Sequence, residues 1–220
     1  VTTTDQGEYH AAWSADGHGT GGVVCALTLM PNGNLAVRGA FNNAGGAPSP
    51  LVAIWNGASW IPTNTGLGYP GAIAQALCVR PNGDLIAGGA GRFGIRQWNG
   101  TTWSLLGSMI VQTMTVLPNG NVLVGASTTG SFPPLNYVAI YTGSQWLPVA
   151  SGTNGPILDF AKAPNGDLVA CGWFSHIGST LAQTVARWNG STWTPIASPG
   201  FINGPGAVTM LPNGNIVLGG

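Results

Sequence analysis

Charge is what this chain lacks most. Only six basic and six acidic residues occur in 220, and Lys162 is the one lysine. A protein so poor in cations cannot neutralise a run of phosphates, so nucleic acid and anionic membrane surfaces are excluded as main partners. Long apolar runs are missing too. The stretch Gly22 to Met30 is far shorter than a bilayer span, so no membrane insertion by a helix is expected. Cysteine is scarce: Cys25, Cys78 and Cys171 form neither an even disulfide set nor a CxxC metal pair, and read as small buried thiols. The three histidines, His10, His18 and His176, never fall at HxH or HExxH spacing, so no histidine metal site and no cofactor are indicated. A Gly-x-Ser-x-Gly elbow and a phosphate-cradling glycine loop are likewise absent.

What the chain has in quantity is glycine (36), proline (16) and tryptophan (nine). Tight turns between many short strands account for that mixture. Pro-Asn-Gly recurs at 31, 81, 118, 164 and 212, a period of 37 to 50 residues, the range of propeller blades. Proline presets φ for the first turn position, asparagine tolerates the second and glycine takes positive φ, so each triplet predicts a type I turn plus bulge between two strands. Apolar residues alternate on both sides, as in Leu27/Leu29 before the first turn and Leu35/Val37 after it. The alternation predicts an inner hairpin with one strongly buried face, and the small residues between (Ala26/Thr28, Ala76/Cys78) predict a crowded strand near an axis.

A second phrase runs out of phase with the first. Trp55-Asn56-Gly57-Ala58-Ser59-Trp60 reappears as Trp98 to Trp103, Tyr141 to Trp146 and Trp188 to Trp193. It predicts a turn joining a third strand to a fourth that begins at the second tryptophan, which covers a blade face. Each repeat is therefore four antiparallel strands. Five repeats give an all-β, five-bladed β-propeller occupying residues 1–220 as one domain. Its closing blade takes inner strands from 207–220 and outer strands from 1–16, specifically Val1 to Thr4 and the segment at Trp13. In that copy the turn reads Asp5-Gln6-Gly7 and Trp13 follows six residues after the glycine, not three.

The Pro-Asn-Gly-Asp-Leu phrase, the Gly39-Ala40-Phe41 to Gly45-Gly46 stretch and Trp193-Thr194-Pro195-Ile196 resemble bacterial repeat propellers found as extracellular or cell-surface modules. In blade count and repeat length the chain is similar to the tachylectin-2 type of five-bladed lectin, which binds N-acetylated amino sugars with one site per blade. That likeness is architectural, since the lectin's binding residues have no assigned positions here. The resemblance implies an extracellular or cell-surface location; separately, a monomer is expected.

The acids are few enough to take singly. Asp84 and Asp167 occupy the turn position held by Asn34, Asn121 and Asn215 elsewhere, and are structural. Asp5, Glu8 and Asp16 belong to the N-terminal copy. Asp159 replaces Ala26, Ala76 and Thr113 on an innermost strand and is the one acid the repeat does not explain. It suits a calcium or sugar ligand, or a structural carboxylate hydrogen-bonded near the channel. One carboxylate is not the pair a glycoside hydrolase needs, so an enzyme of that kind ranks last.

Binding then rests on the connections from second to third strands. These hold Phe41, Asn42, Asn43, Arg92, Phe93, Phe132, Trp173, Phe174 and His176, and the connections between blades add Asn64, Tyr69 and Asn154. An aromatic plate beside amides suits a sugar's C–H face and hydroxyls. Phe41 and Phe174 are aligned copies and read as packing. Trp173 and His176 have no counterparts. The candidate ligand residues are therefore Trp173, His176, Asp159, Asn42, Asn43 and Arg92, with non-catalytic, lectin-like carbohydrate binding as the leading expectation and a structural or protein-interaction scaffold as the alternative. Arg38, Arg96 and Arg187 read as blade-edge cations.

Overall fold

The computed structural model describes residues 19–63, 73–90, 93–127, 136–197, 200 and 204–220. Expectations for Val1 to Thr4, Trp13, Asp5, Glu8, Asp16, His10, His18, Asn64, Tyr69, Arg92 and Phe132 lie outside the described residues. Each Pro-Asn-Gly turn closes as its sequence requires. In the first, Gly33 N–H donates to Met30 C=O at 2.9 Å, Met30 N–H donates to Asn34 C=O at 2.8 Å, and Gly33 has a φ of 84°. Period-two strands flank it: β1 (Val23–Leu29) and β2 (Leu35–Ala40). The excursion that follows folds into a two-residue-per-strand hairpin, β3 (Asn43–Ala44) and β4 (Ala47–Pro48). β5 (Val52–Trp55) and β6 (Trp60–Pro62) then complete an antiparallel sheet in the order β1-β2-β5-β6.

The pattern repeats three times. The second blade is β7 (Ile73–Val79), β8 (Leu85–Ala90), β9 (Ile95–Trp98) and β10 (Trp103–Gly107). The third is β11 (Val111–Val116), β12 (Val122–Ala126), β13 (Val138–Tyr141) and β14 (Trp146–Pro148). The fourth is β15 (Ile157–Lys162), β16 (Leu168–Gly172), β19 (Val185–Trp188) and β20 (Trp193–Pro195), with β17 (His176–Ile177) and β18 (Thr180–Leu181) as its small hairpin. A last hairpin, β21 (Ala207–Met210) and β22 (Ile216–Gly219), stands as a sheet of two strands. Innermost strands follow one another in space, β1 beside β7, β7 beside β11, β11 beside β15 and β15 beside β21. The architecture is all-β and propeller-like.

Blade-on-blade packing corrects one expectation. The inner strands bury both faces where they have a neighbour on each side. In β7, Leu77 and Val79 pack with Val52 and Ile54 of the first blade, while Ala76 and Cys78 pack with Val111 and Val124 of the third. Period-two reading marks the larger side chains as the buried face, but a sheet held between two others has no solvent face to mark. β1 differs. Its Leu27 and Leu29, in register with Leu77 and Val79, are 55% and 70% exposed.

Each innermost strand of the four complete sheets carries a β-bulge at the same place. Register slips between Val24 and Ala26, Ala74 and Ala76, Val111 and Thr113, and Ile157 and Asp159. Opposite the residue after the slip stand Gly88 and Gly125 in the second and third blades. A Cβ on Gly88 would meet Val111 at 2.8 Å, and one on Gly125 would meet Ile157 at 2.8 Å, so these glycines let adjacent blades close near the axis.

The repeated tryptophans do more than cover a face. Each of Trp60, Trp103, Trp146 and Trp193 opens the outermost strand of its blade and stacks, tilted, on the aromatic that ends the third strand, with centroids 5.1 to 5.5 Å apart. Trp103 Nε1 then donates to Thr63 C=O at 3.0 Å, and Trp146 Nε1 to Leu106 C=O at 2.9 Å, stitching each blade to the one before. The carbonyl in the matching place for Trp193 is that of Val149, and it accepts instead from Gly152 N–H in a tight turn. Trp193 Nε1 is buried without a partner. An orphaned buried donor costs ~1–3 kcal/mol, and removing it recovers part of that. Trp193→Phe is therefore expected to lose about 1 kcal/mol less stability than Trp146→Phe. Urea unfolding of both variants checks this, and equal losses would contradict the assignment.

Candidate functional site

The loop that crosses from the third blade into the fourth and the small hairpin of the fourth blade are tied together by one side chain. Asn154 Oδ1 accepts from the backbone N–H of both Ser175 and His176 at 2.9 Å each, and its Nδ2 donates to Ser175 Oγ at 3.0 Å. Ser175 Oγ lies 2.9 Å from His176 Nδ1, which fixes the imidazole from one side. Backbone bonds reinforce the clamp, Asn154 N–H to His176 C=O at 3.2 Å and Gly178 N–H to Gly152 C=O at 2.9 Å. Across the hairpin His176 pairs with Leu181, which is 57% exposed. Trp173, at the base of the same excursion, is held through its N–H to Pro156 C=O at 2.9 Å and leaves 59% of its surface exposed. An indole so exposed contributes little to the fold.

The first blade supplies an internal comparison. Its hairpin docks in the same way, with Thr20 bridging Ala44 as Thr153 bridges Ile177. Where the fourth blade has Trp173, His176 and Leu181, the first has Ala40, Asn43 and Pro48. Asn42 and Asn43 are exposed, and their carbonyls accept from Ser49 and Gly21 N–H at 2.9 Å, so their backbones hold the hairpin. They sit on a different blade from Trp173 and His176. Arg92 lies outside the described residues.

Asp159 belongs to the inner strands. One carboxylate oxygen accepts from Phe160 N–H at 2.9 Å and faces Thr113 Oγ1 at 3.5 Å; the other accepts from Val208 N–H at 2.9 Å. It joins β15 to β11 on one side and β21 on the other. Charge-assisted bonds of this kind contribute ~1.5–3 kcal/mol each, which accounts for a carboxylate here. Asp159→Ala is expected to destabilise the protein by about 2–4 kcal/mol, the cost of leaving two part-buried amides unpaired. Thermal and urea unfolding measure it, and an unchanged midpoint would remove the strap role.

The other acids are engaged at turns. Asp84 accepts from Asn82 Nδ2 and Gln97 Nε2 at 2.7 Å each. Asp167 accepts from Asn165 Nδ2 and Arg187 Nε, and these bonds, Asn165 first, hold its carboxyl below the usual carboxylate range. Arg38 Nη1 donates to Ala74 C=O at 2.9 Å and Arg96 Nε to Phe93 C=O at 3.1 Å. Among the described residues no group of three His, Cys, Asp or Glu side chains is placed to hold a metal ion.

Three loop aromatics, Phe41, Phe93 and Phe174, are not surface groups, and Phe41 packs with Val37, Ala44 and Ala53 of its own blade. Phe93 is fully buried, packed with Met30, Leu51 and Val52 of the first blade, and Phe174 fills the corresponding seam between the third and fourth. Phe93 aligns with neither Phe41 nor Phe174 in the sequence because its loop is short, so the repeat gave no warning of its packing role. Missed entirely at the sequence level were Ser175 and Leu181. Leu181 stands opposite His176 only through a turn of glycine and serine that no periodicity marks.

Burial sets the thiols apart. Cys78 and Cys171 are pushed up to about 12, by desolvation in both, with the Asp159 carboxylate adding to the effect at Cys171. Cys25 is exposed. At pH 8 a thiol reagent is expected to label one cysteine of the folded protein and all three after denaturation. Rapid labelling of a second thiol in the folded state would contradict the packing.

Neither protein-family models nor curated sequences give a match. Solved structures do. YCF48 bound to D1 peptide aligns with a TM-score of 0.58 at 13% identity, over 90% of this chain and 60% of that one. Catalytically inactive virginiamycin B lyase from Staphylococcus aureus, with quinupristin, gives 0.59 at 13% identity over 90% and 69%. The WD40 β-propeller domain of Doa1 gives 0.59 at 16% identity over 89% and 60%. The chain therefore spans 60 to 69% of the length of these structures. At such identities the likeness establishes a propeller fold.

Proposed function

We propose that this chain is a non-catalytic interaction module, a five-bladed ring that takes a peptide segment of another protein on the loop face of its fourth blade. The observation that carries the reading is the pair of exposed apolar side chains, Trp173 at the base of the fourth blade's hairpin and Leu181 opposite its clamped His176, where the first blade has Ala40, Pro48 and Asn43. Large apolar groups held out into water on a rigid hairpin mark a contact surface, and tryptophan is the residue most enriched at binding hot spots. YCF48 with its D1 peptide and the WD40 domain of Doa1 support the reading as propellers of similar fold, one of them holding a peptide. The engagement of Asp84, Asp159 and Asp167 in hydrogen bonds supports a non-catalytic role.

Carbohydrate binding is the second reading. It is favoured by one arrangement, an exposed indole on the same loop junction as the Asn154 amide and Ser175 hydroxyl. Parallel screens separate the two. Peptide-display selection on the wild-type protein is expected to enrich apolar peptides whose affinity falls at least about tenfold in Trp173→Ala, the scale of losing an aromatic anchor. Sugar binding on a glycan array, weakened by the same substitution, would replace the peptide reading with the lectin-like one. Binding that survives Trp173→Ala, or silence in both screens, would overturn the assignment of this face.

A further inference from the structure

The hairpins of the first and fourth blades dock through the same backbone bonds. Gly45 N–H donates to Gly19 C=O as Gly178 N–H does to Gly152 C=O, and Gly21 N–H donates to Asn43 C=O as Asn154 N–H does to His176 C=O. Asn154 therefore holds the place of Gly21, which has no side chain, and His176 that of Asn43. The fourth blade adds a side-chain relay that docking in the first does without. Its direction is fixed from one end. Two backbone N–H groups, of Ser175 and His176, donate to Asn154 Oδ1, so the other branch of that amide is its NH2, which donates to Ser175 Oγ. A hydroxyl that accepts there has its own proton to give, and His176 Nδ1 lies 2.9 Å away. Neutral His176 thus accepts at Nδ1 and carries its proton on Nε2. The imidazolium would carry one there too, so Nε2 donates in either charge state. Among the described residues Nε2 has no hydrogen-bond partner, and it is not sealed from solvent.

We propose that Nε2 of His176 is a specificity donor, which selects an Asp or Glu side chain next to the apolar residue that covers Leu181. This rests on the peptide reading above and names what that peptide carries. Leu181 stands opposite His176 across the hairpin and is exposed, and Cβ atoms in such a pair are about 5 Å apart, within reach of two neighbouring residues of one ligand. No acid among the described residues competes for the donor. Asp84 and Asp167 lie at Pro-Asn-Gly turns, at the end of β8 and β16 remote from the excursions, and Asp159 is held by two backbone amides. A lysine or arginine in the ligand would set donor against donor, and a neutral acceptor would forgo the charge-assisted part of the bond.

Defined dipeptides test this on the intact chain. Acetylated and amidated Leu-Glu and Glu-Leu are titrated against their Gln counterparts while the imidazole nitrogens of His176 are followed by nitrogen-15 NMR. One Glu form is expected to shift the His176 resonances and to bind at least about tenfold more tightly than its Gln form. His176→Gln, whose side-chain amide can set an N–H in the place of Nε2, keeps that preference, and His176→Phe abolishes it. Asn154→Gly copies the first blade, so the hairpin stays docked, and the preference falls by roughly threefold as the ring loses its fixed direction. Equal affinity for the Glu and Gln forms, silence at His176 with all four dipeptides, or a preference that survives in His176→Phe would overturn the proposal. The display selection separates the two readings. Peptides that depend on Trp173 but carry no acid sink this inference and leave the interaction reading standing, whereas a Glu preference read at His176 without any peptide that depends on Trp173 does the reverse.

Discussion

Each four-stranded sheet among the described residues carries apolar side chains on both faces of its inner strands, and the need to cover both is the constraint from which the rest follows. A four-stranded sheet with Leu77 and Val79 on one face and Ala76 and Cys78 on the other cannot be stable alone in water. It has to stand between two others. Repetition meets that need by giving each sheet a copy of itself as neighbour, which is why a chain of one short phrase repeated builds a large core from few residue types. Glycines at 88 and 125 and the recurring bulge follow from the same demand, because sheets packed around an axis must crowd at its centre and splay at the rim.

Polar groups answer to the constraint as well. The strand ends that meet at blade seams bring carbonyls and amides away from water, and the chain satisfies them with fixed side chains. Trp103 and Trp146 reach back to the previous blade, Arg80 Nε reaches forward to Gly120 C=O, and Asp159 gathers an amide from β21. Where local folding takes the carbonyl first, as at Val149, the copied tryptophan is left with an unmet donor. Repeated sequence does not guarantee repeated bonding, since each copy meets a different loop.

The sequence was most legible where a turn fixes local geometry. Pro-Asn-Gly and Asn-Gly marked the hairpins because asparagine and glycine there have a backbone reason to be present. Asn56 Oδ1, for example, accepts from Ala58 and Ser59 N–H at 2.9 and 2.8 Å. The alternation of Leu27 and Leu29 found the strand but not its neighbours, so the burial of both faces was read as one. The hairpins at Asn43–Pro48 and His176–Leu181 escaped notice because two residues per strand are too few to show a period. The candidate site was legible in half. Trp173 and His176 stood out as departures from the repeat, while the Asn154 clamp links residues 21 and 22 positions apart and has no local signature. Asn42 and Asn43 drew attention as amides, and their contribution proves to be through the backbone.

The paired aromatics give the molecule an optical property. In four blades two rings from adjoining strands are held 5.1 to 5.5 Å apart at interplanar angles from 38° to 57°. Transition dipoles so close and so tilted couple, and the coupling vanishes once the two strands part. Each of these sheets thus carries its own chromophore pair, written into the same phrase that makes its turn. Their combined circular dichroism in the near ultraviolet reports strand pairing at the rim of the disc, separately from the events at its axis.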